Sequence, residues 1–105
     1  MMSKTIMLVC SAGMSTSLLV SKMKQAATEK GFEAKIFAVS ANEADSYLEN
    51  GEVDVMLLGP QIRFMRRQFE EKVSDKGIGV DVIDMRDYGM MDGKKVLDKA
   101  IELIK

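Results

Sequence analysis

Lys4-Thr5-Ile6-Met7-Leu8-Val9-Cys10-Ser11-Ala12-Gly13 is the stretch on which the fold turns. Its apolar run from Ile6 to Val9 is not broken by polar residues, which is the pattern of a strand buried on both faces, and Cys10 to Gly13 reads as a tight loop. From Thr16 to Lys30 the residues Leu19, Met23 and Ala26/Ala27 recur at helical spacing, and Gly31 stands where a left-handed C-cap ends a helix. A doubly buried strand that feeds an amphipathic helix is the opening of a β-α-β unit.

The rest of the chain repeats that unit. Phe32 to Val39 is rich in β-forming residues but carries Glu33 and Lys35, so it reads as an edge strand. Ser40-Ala41-Asn42-Glu43 fits a capping box at the start of a second helix, in which the Ser40 hydroxyl and the Glu43 carboxylate satisfy each other's backbone amides, and Asn50-Gly51 stops that helix. Val53 to Leu58 is a second strongly buried strand, closed by Gly59-Pro60. Ile62, Met65, Phe69 and Val73 form an apolar stripe that predicts a third helix running to about Asp75, with Gly77 after it. Ile78 to Ile83 is the fourth strand, a long loop is expected from Asp84 to Met91, and Asp92 caps a last helix carrying Val96, Leu97, Ala100, Ile101 and Ile104.

Strict β-α alternation with short connections demands a parallel sheet with right-handed crossovers and helices on both faces. The expected fold class is α/β: a three-layer α/β/α sandwich on a four-stranded parallel sheet of order 2-1-3-4, flavodoxin-like. Ligands of such sheets bind beyond the carboxyl ends of the strands, here Cys10, Ser40, Gly59 and Asp84.

Composition narrows the function. The 105 residues suit one domain, expected to span 1–105, and 47% hydrophobic with 30% charged residues is ordinary for a globular chain with a core. With 15 Lys and Arg against 16 Asp and Glu, the net charge of −1 argues against nucleic acid and anionic membrane as partners. No apolar run is long enough for membrane insertion, and the short run after Met1-Met2-Ser3-Lys4 is too brief for a signal peptide, so a cytoplasmic location is expected. One cysteine and no histidine exclude an internal disulfide, ordinary zinc sites and a Cys-His pair within the chain; no cofactor and no metal are expected.

Cys10 is the candidate nucleophile. Alone at the end of a buried strand it would read as an inert small hydrophobe. The following Ser11, Ala12, Gly13, Met14, Ser15, Thr16 and Ser17 change that reading: a glycine-containing loop running into a helix start aims backbone N–H groups inward, and hydroxyls at 11, 15, 16 and 17 can donate further hydrogen bonds. The same field favours a thiolate. The loop lacks the glycine spacing and the Lys-Ser/Thr pair of a Walker loop.

Leu8-Val9-Cys10-Ser11-Ala12-Gly13-Met14-Ser15-Thr16-Ser17-Leu18-Leu19, Leu58-Gly59-Pro60-Gln61-Ile62-Arg63 and Val82-Ile83-Asp84-Met85-Arg86-Asp87-Tyr88-Gly89-Met90-Met91 together closely resemble the enzyme IIB component of the bacterial sugar phosphotransferase system, lactose/cellobiose (chitobiose) class. The resemblance runs essentially end to end with its three blocks in the family's order. It implies a phosphocarrier: Cys10 takes a phosphoryl group from a phosphohistidine on the IIA component, as a phosphocysteine, and passes it to a sugar carried by the membrane IIC component. The implied sugar is a β-linked disaccharide such as cellobiose, chitobiose or lactose.

Two other readings stay open at this point. A low-molecular-weight cysteine phosphatase, such as the tyrosine phosphatases of similar fold, carries an arginine six residues after its cysteine, where this chain has Thr16. Without that bidentate fork, hydrolysis of a thiophosphate is expected to be slow. A redox-regulated binding module would instead modify Cys10 by oxidation. Secondary site candidates are Gln61 and Arg63 after Gly59-Pro60, and Tyr88 after the fourth strand. Asp84 with Arg86, or Arg86 with Asp87, reads as a loop ion pair. Arg63, Arg66 and Arg67 form either a solvated or a docking face. Met14, Met90 and Met91 are candidates for an apolar docking rim, whereas Met7, Met23, Met56 and Met65 read as core.

Overall fold

Alternation of side chains along β1 (Lys4–Cys10) sets the layers of the protein, seen here in a computed structural model that describes residues 4–11, 14–49, 51 and 53–104, without the side chains of 14–16. Successive strand residues point to opposite faces. Ile6 and Leu8 therefore pack with Val55 and Leu57 in one core, and Met7 and Val9 pack with Met56 and Leu58 in a second core across the sheet. The helices α1 (Met14–Lys30) and α5 (Gly93–Leu103) cover the first core through Leu19, Met23, Val96 and Leu97. The helices α2 (Ala41–Glu49) and α3 (Arg66–Lys72) cover the second through Ala44, Leu48 and Phe69.

The strands β1, β2 (Ala34–Ser40), β3 (Val55–Leu58) and β4 (Gly79–Val82) form one parallel sheet of order β2-β1-β3-β4, the expected α/β architecture. Every residue of β3 is buried, whereas in β2 Ile36 and Val39 alone are buried and the rest are partly or fully exposed, as suits an edge strand. Met7, Met23 and Met56 are fully buried, and Met65 packs partly buried on the second core.

Local boundaries shift for identifiable reasons. β2 begins at Ala34 rather than Phe32, because Phe32 is used in closing α1: its amide donates to the Ala27 carbonyl while Gly31, at φ 71°, donates to Thr28. Gly51 and Gly77 likewise adopt φ of 69° and 70° behind the second and third helices. Asn50 lies outside the described residues. Only half of the capping box forms: Glu43 Oε1 accepts from the Ser40 amide at 3.3 Å, but the Ser40 hydroxyl donates to that same carboxylate at 3.0 Å. The stripe read as one helix from Ile62 is divided between a 3-10 helix, Pro60–Met65, with a kink at Ile62 (φ −118°), and α3, which stops at Lys72. The same apolar side chains reach the core from both pieces.

The segment expected to be a loop contains a helix, α4 (Met85–Gly89). Asp84 is its N-cap, with Oδ1 accepting from the amides of Arg86 at 2.8 Å and Asp87 at 3.3 Å. The expected Asp84–Arg86 or Arg86–Asp87 ion pair is not found among the described residues; the carboxylate of Asp84 serves backbone amides instead. Asp92 caps α5 as expected, accepting from the Lys95 amide at 3.2 Å. At the first residue of α5 the two covering helices touch: a β-carbon on Gly93 would lie 2.5 Å from the Lys22 carbonyl carbon, so only glycine permits this approach.

Candidate active site

Cys10 is the last residue of β1 and is flanked on both sides by strand ends. In the sheet it pairs with Ser40 of β2, and on the other side the Gly59 amide donates to the Val9 carbonyl at 2.8 Å. The thiol is buried, with 2% of its surface exposed, and donates to the Val39 carbonyl oxygen at 3.8 Å. Ser11 is exposed immediately after it, and α1 begins at Met14, so a helix amino terminus stands four residues beyond the last sheet position. Unpaired amides at such a terminus attract anions and favour a thiolate. No acidic side chain occupies the first turn of α1 to compete for them. Ser17 is exposed on α1. Ala12 and Gly13, with the side chains of Met14, Ser15 and Thr16, lie outside the described residues.

The turn after β3 builds the opposite wall. Gly59 is tied to β1, Pro60 is buried and starts the 3-10 helix, and Ile62 is buried in the second core with its amide donating to the Gly59 carbonyl at 3.0 Å. Gln61 is thereby presented between two anchored residues. A β-carbon built on Gly59 would lie 3.0 Å from Gln61 Oε1 and 3.7 Å from the Cys10 β-carbon, so the Gln61 carboxamide borders the space beside the cysteine. Arg63 is exposed further along the same segment. Tyr88 is buried, at 8% exposure, in the core shared with α1 and α5.

Charge is distributed unevenly around this wall. Arg66 pairs with Glu70 at 3.2 Å and with Asp81 at 3.4 Å, and Arg67 pairs with Glu71 at 3.6 Å. Two of the three arginines read as a positive face are thus neutralised on their own flank. Arg63 and Arg86, both following strand ends, make no ion pair among the described residues.

Among the described residues the exposed large hydrophobic side chains are Leu18 at 54%, Phe64 at 79%, Met85 at 63% and Met90 at 72%. All four lie in the segments that follow the carboxyl ends of strands. Met90 was expected there; Met91 is half-buried against the first core, at φ 52°. Leu18, Phe64 and Met85 were not anticipated, although Phe64 stands visibly off the stripe of Ile62, Met65 and Phe69. Among the described residues no helix is long and apolar enough to cross a membrane.

Residues 5–99 match the family described as PTS system, lactose/cellobiose specific IIB subunit. The chain is 50% identical to the PTS system galactose-specific EIIB component of Lactococcus lactis subsp. cremoris (strain MG1363), over 99% of both chains. It is 49% identical, again over 99% of both, to the cellobiose-specific EIIB component of Lactococcus lactis subsp. lactis (strain IL1403). The oligo-beta-mannoside-specific EIIB component of Bacillus subtilis (strain 168) is 45% identical over 96% of both. Among solved structures, the cellobiose-specific phosphotransferase IIB component of Borrelia burgdorferi superposes with a TM-score of 0.79 at 41% identity, covering 98% of this chain and 93% of that one. A lactose-specific IIB component domain from Streptococcus pneumoniae shares the fold, with a TM-score of 0.84 at 16% identity, covering 99% and 100%.

Proposed function

We propose that this chain, which belongs to the lactose/cellobiose-specific IIB subunit family of the PTS system, carries a phosphoryl group on Cys10 between a phosphohistidine donor and a sugar. The observation that carries the proposal is the place of Cys10, at the carboxyl end of a central strand and just before the amino end of α1. In the first step the Cys10 thiolate attacks phosphorus; the S–P bond forms as the N–P bond to the donor histidine breaks, and the imidazole leaves with a proton equivalent to the one the thiol gave up. In the second, a sugar hydroxyl oxygen attacks, the O–P bond forms, the hydroxyl proton passes to a base, and sulfur leaves as thiolate.

Residues 11–17 cradle the phosphoryl group through backbone amides at the start of α1 and through the hydroxyls of Ser11, Ser15, Thr16 and Ser17. The histidine that this chain lacks is supplied by the IIA component, and the sugar is held by the membrane IIC component. The whole chain acts as one phosphotransferase domain in the cytoplasm, docking at the membrane through IIC. Leu18, Phe64, Met85 and Met90 form the apolar part of the surface that meets these partners in turn, and Arg63 stands at its margin. Tyr88 contributes from beneath, by anchoring α4.

The sugar is a β-linked disaccharide such as cellobiose, chitobiose or lactose. Relatives of nearly equal similarity, at 50%, 49% and 45% identity, are named for galactose, cellobiose and oligo-beta-mannoside, which supports the view that sugar choice lies with the transporter rather than this subunit. The test is intact-mass measurement after incubation with a phosphorylated IIA component of this class. Wild type gains one phosphate and Cys10→Ser gains none. No gain on wild type, or steady turnover of a small aryl phosphate without a carried phosphate, would overturn the proposal.

A further inference from the structure

The space beside Cys10 is shaped by a missing side chain. Gly59 has an ordinary extended backbone, φ −63° and ψ 150°, so no turn geometry requires glycine there. What a β-carbon at 59 would meet is the end of Gln61, with Oε1 at 3.0 Å, while its other neighbours, the Val9 carbonyl oxygen at 3.5 Å and the Cys10 β-carbon at 3.7 Å, are at ordinary contact distance. The carboxamide of Gln61 thus occupies room that only glycine leaves open, on the border of the reactive residue.

This placement is held by the backbone. Gly59 is bonded to β1 one residue before Cys10, Pro60 and Ile62 are buried, and the Ile62 amide closes the turn on the Gly59 carbonyl. Among the described residues the Gln61 carboxamide makes no hydrogen bond, so a half-turn about its last side-chain bond exchanges Oε1 and Nε2 freely and can aim Nε2–H at an anion. A neutral amide donor suits a carrier. It stabilises charge on the phosphoryl oxygens without the fixed charge and fork of an arginine.

We infer that Gln61 is a phosphoryl-binding residue whose Nε2–H donates to an oxygen of the group carried by Cys10, and that position 59 is glycine to give that carboxamide its place. The inference rests on the reading of Cys10 as phosphoryl acceptor and adds a donor from outside the loop of residues 11–17.

The experiment is single-turnover transfer from a phosphorylated IIA component, followed by intact mass, on the full chain. Loss of one hydrogen bond to a charged group slows Gln61→Ala by about tenfold or more. Gln61→Glu keeps the shape but can only accept, and repels the phosphoryl dianion, so it is slower still; a merely space-filling Gln61 would rank these two variants the other way. Gly59→Ala displaces the flexible carboxamide without disturbing backbone, and matches Gln61→Ala in rate. The double variant Gly59→Ala/Gln61→Ala is no slower than either alone, because both remove the same contact. Wild-type rates in Gln61→Glu, or additive losses in the double variant, would overturn the assignment of Gln61 while leaving the carrier reading intact. A wild-type chain that takes no phosphate overturns both. Should Gly59→Ala fail to fold, the order of Gln61→Ala and Gln61→Glu still decides.

Discussion

At the amino-terminal end of the sheet, helices hand over to strands through Gly31, Gly51 and Gly77, each in the left-handed region, and backbone bonds such as Asp54 amide to Thr5 carbonyl at 2.9 Å tie the strand starts together. At the carboxyl-terminal end the connections carry Cys10, Gln61, the arginines Arg63 and Arg86, which make no ion pair among the described residues, and the exposed Leu18, Phe64, Met85 and Met90. One end uses its residues to stop helices and start strands. The other leaves Leu18, Phe64, Met85 and Met90 exposed while the Cys10 thiol stays buried in the strand end, an exposure that costs solubility and suits the proposed docking surface. The contrast sets the residues that close the fold and those proposed for phosphoryl transfer at opposite ends of one sheet, and substitutions at the two ends should therefore separate stability from transfer.

Cys10→Ser gives the largest effect: phosphoryl uptake is abolished, while thermal stability changes little because a serine hydroxyl can donate to the Val39 carbonyl as the thiol does. A large loss of Tm in this variant would break the contrast. Next is Gly93→Ala on the helical flank, expected to cost about 1–3 kcal/mol or more in denaturant unfolding, because the new methyl meets the backbone of Lys22 rather than a movable side chain. Phosphoryl transfer by the folded fraction should stay at the wild-type rate. Asp84→Ala sits between the two regimes: losing two cap hydrogen bonds costs about 1 kcal/mol and loosens the helix that carries Met85 and Met90, so both Tm and transfer decline modestly. Gly31→Ala costs about 1 kcal/mol through its positive φ alone, with transfer unaffected. Smallest in stability is Phe64→Ser, expected to shift unfolding by less than about 0.5 kcal/mol, since the ring is 79% exposed, while weakening partner affinity measured by titration calorimetry. Unchanged affinity would remove Phe64 from the docking surface and sharpen where that surface lies.

Much of this was legible along the chain. The unbroken apolar runs at Ile6–Val9 and Val55–Leu58 marked the two central strands because burial on both faces leaves no room for polar alternation. The cap at Asp92 and the stop at Gly31 were readable because their chemistry is local. The helix after β4 was not: Met85–Gly89 is too short for a 3.6-residue period, and Tyr88 is its one buried residue, so only the Asp84 cap signalled it. The break within the third helical segment was hidden for a related reason. An apolar stripe records which residues face the core, and a 3-10 turn followed by an α-helix can present the same stripe.

For the site, the sequence singled out Cys10 and the glycine- and hydroxyl-bearing residues after it, since strand, loop and helix start are consecutive there. It also named Gln61 without a reason to prefer it. Sequence by itself determined the alternation of strands and helices, the sheet order and the identity of the thiol, because these follow from periodicity and nearest-neighbour connections. Tertiary structure alone decided that Gly59 lies against Cys10 with the Gln61 carboxamide beside it, and that Leu18, Phe64, Met85 and Met90 are left exposed in the segments after the strand ends. Residues 10 and 59 can meet because β1 and β3 are adjacent, as the sheet order requires, but the register that sets Gly59 against Cys10 and the placement of the Gln61 side chain are fixed by packing, which no local pattern encodes.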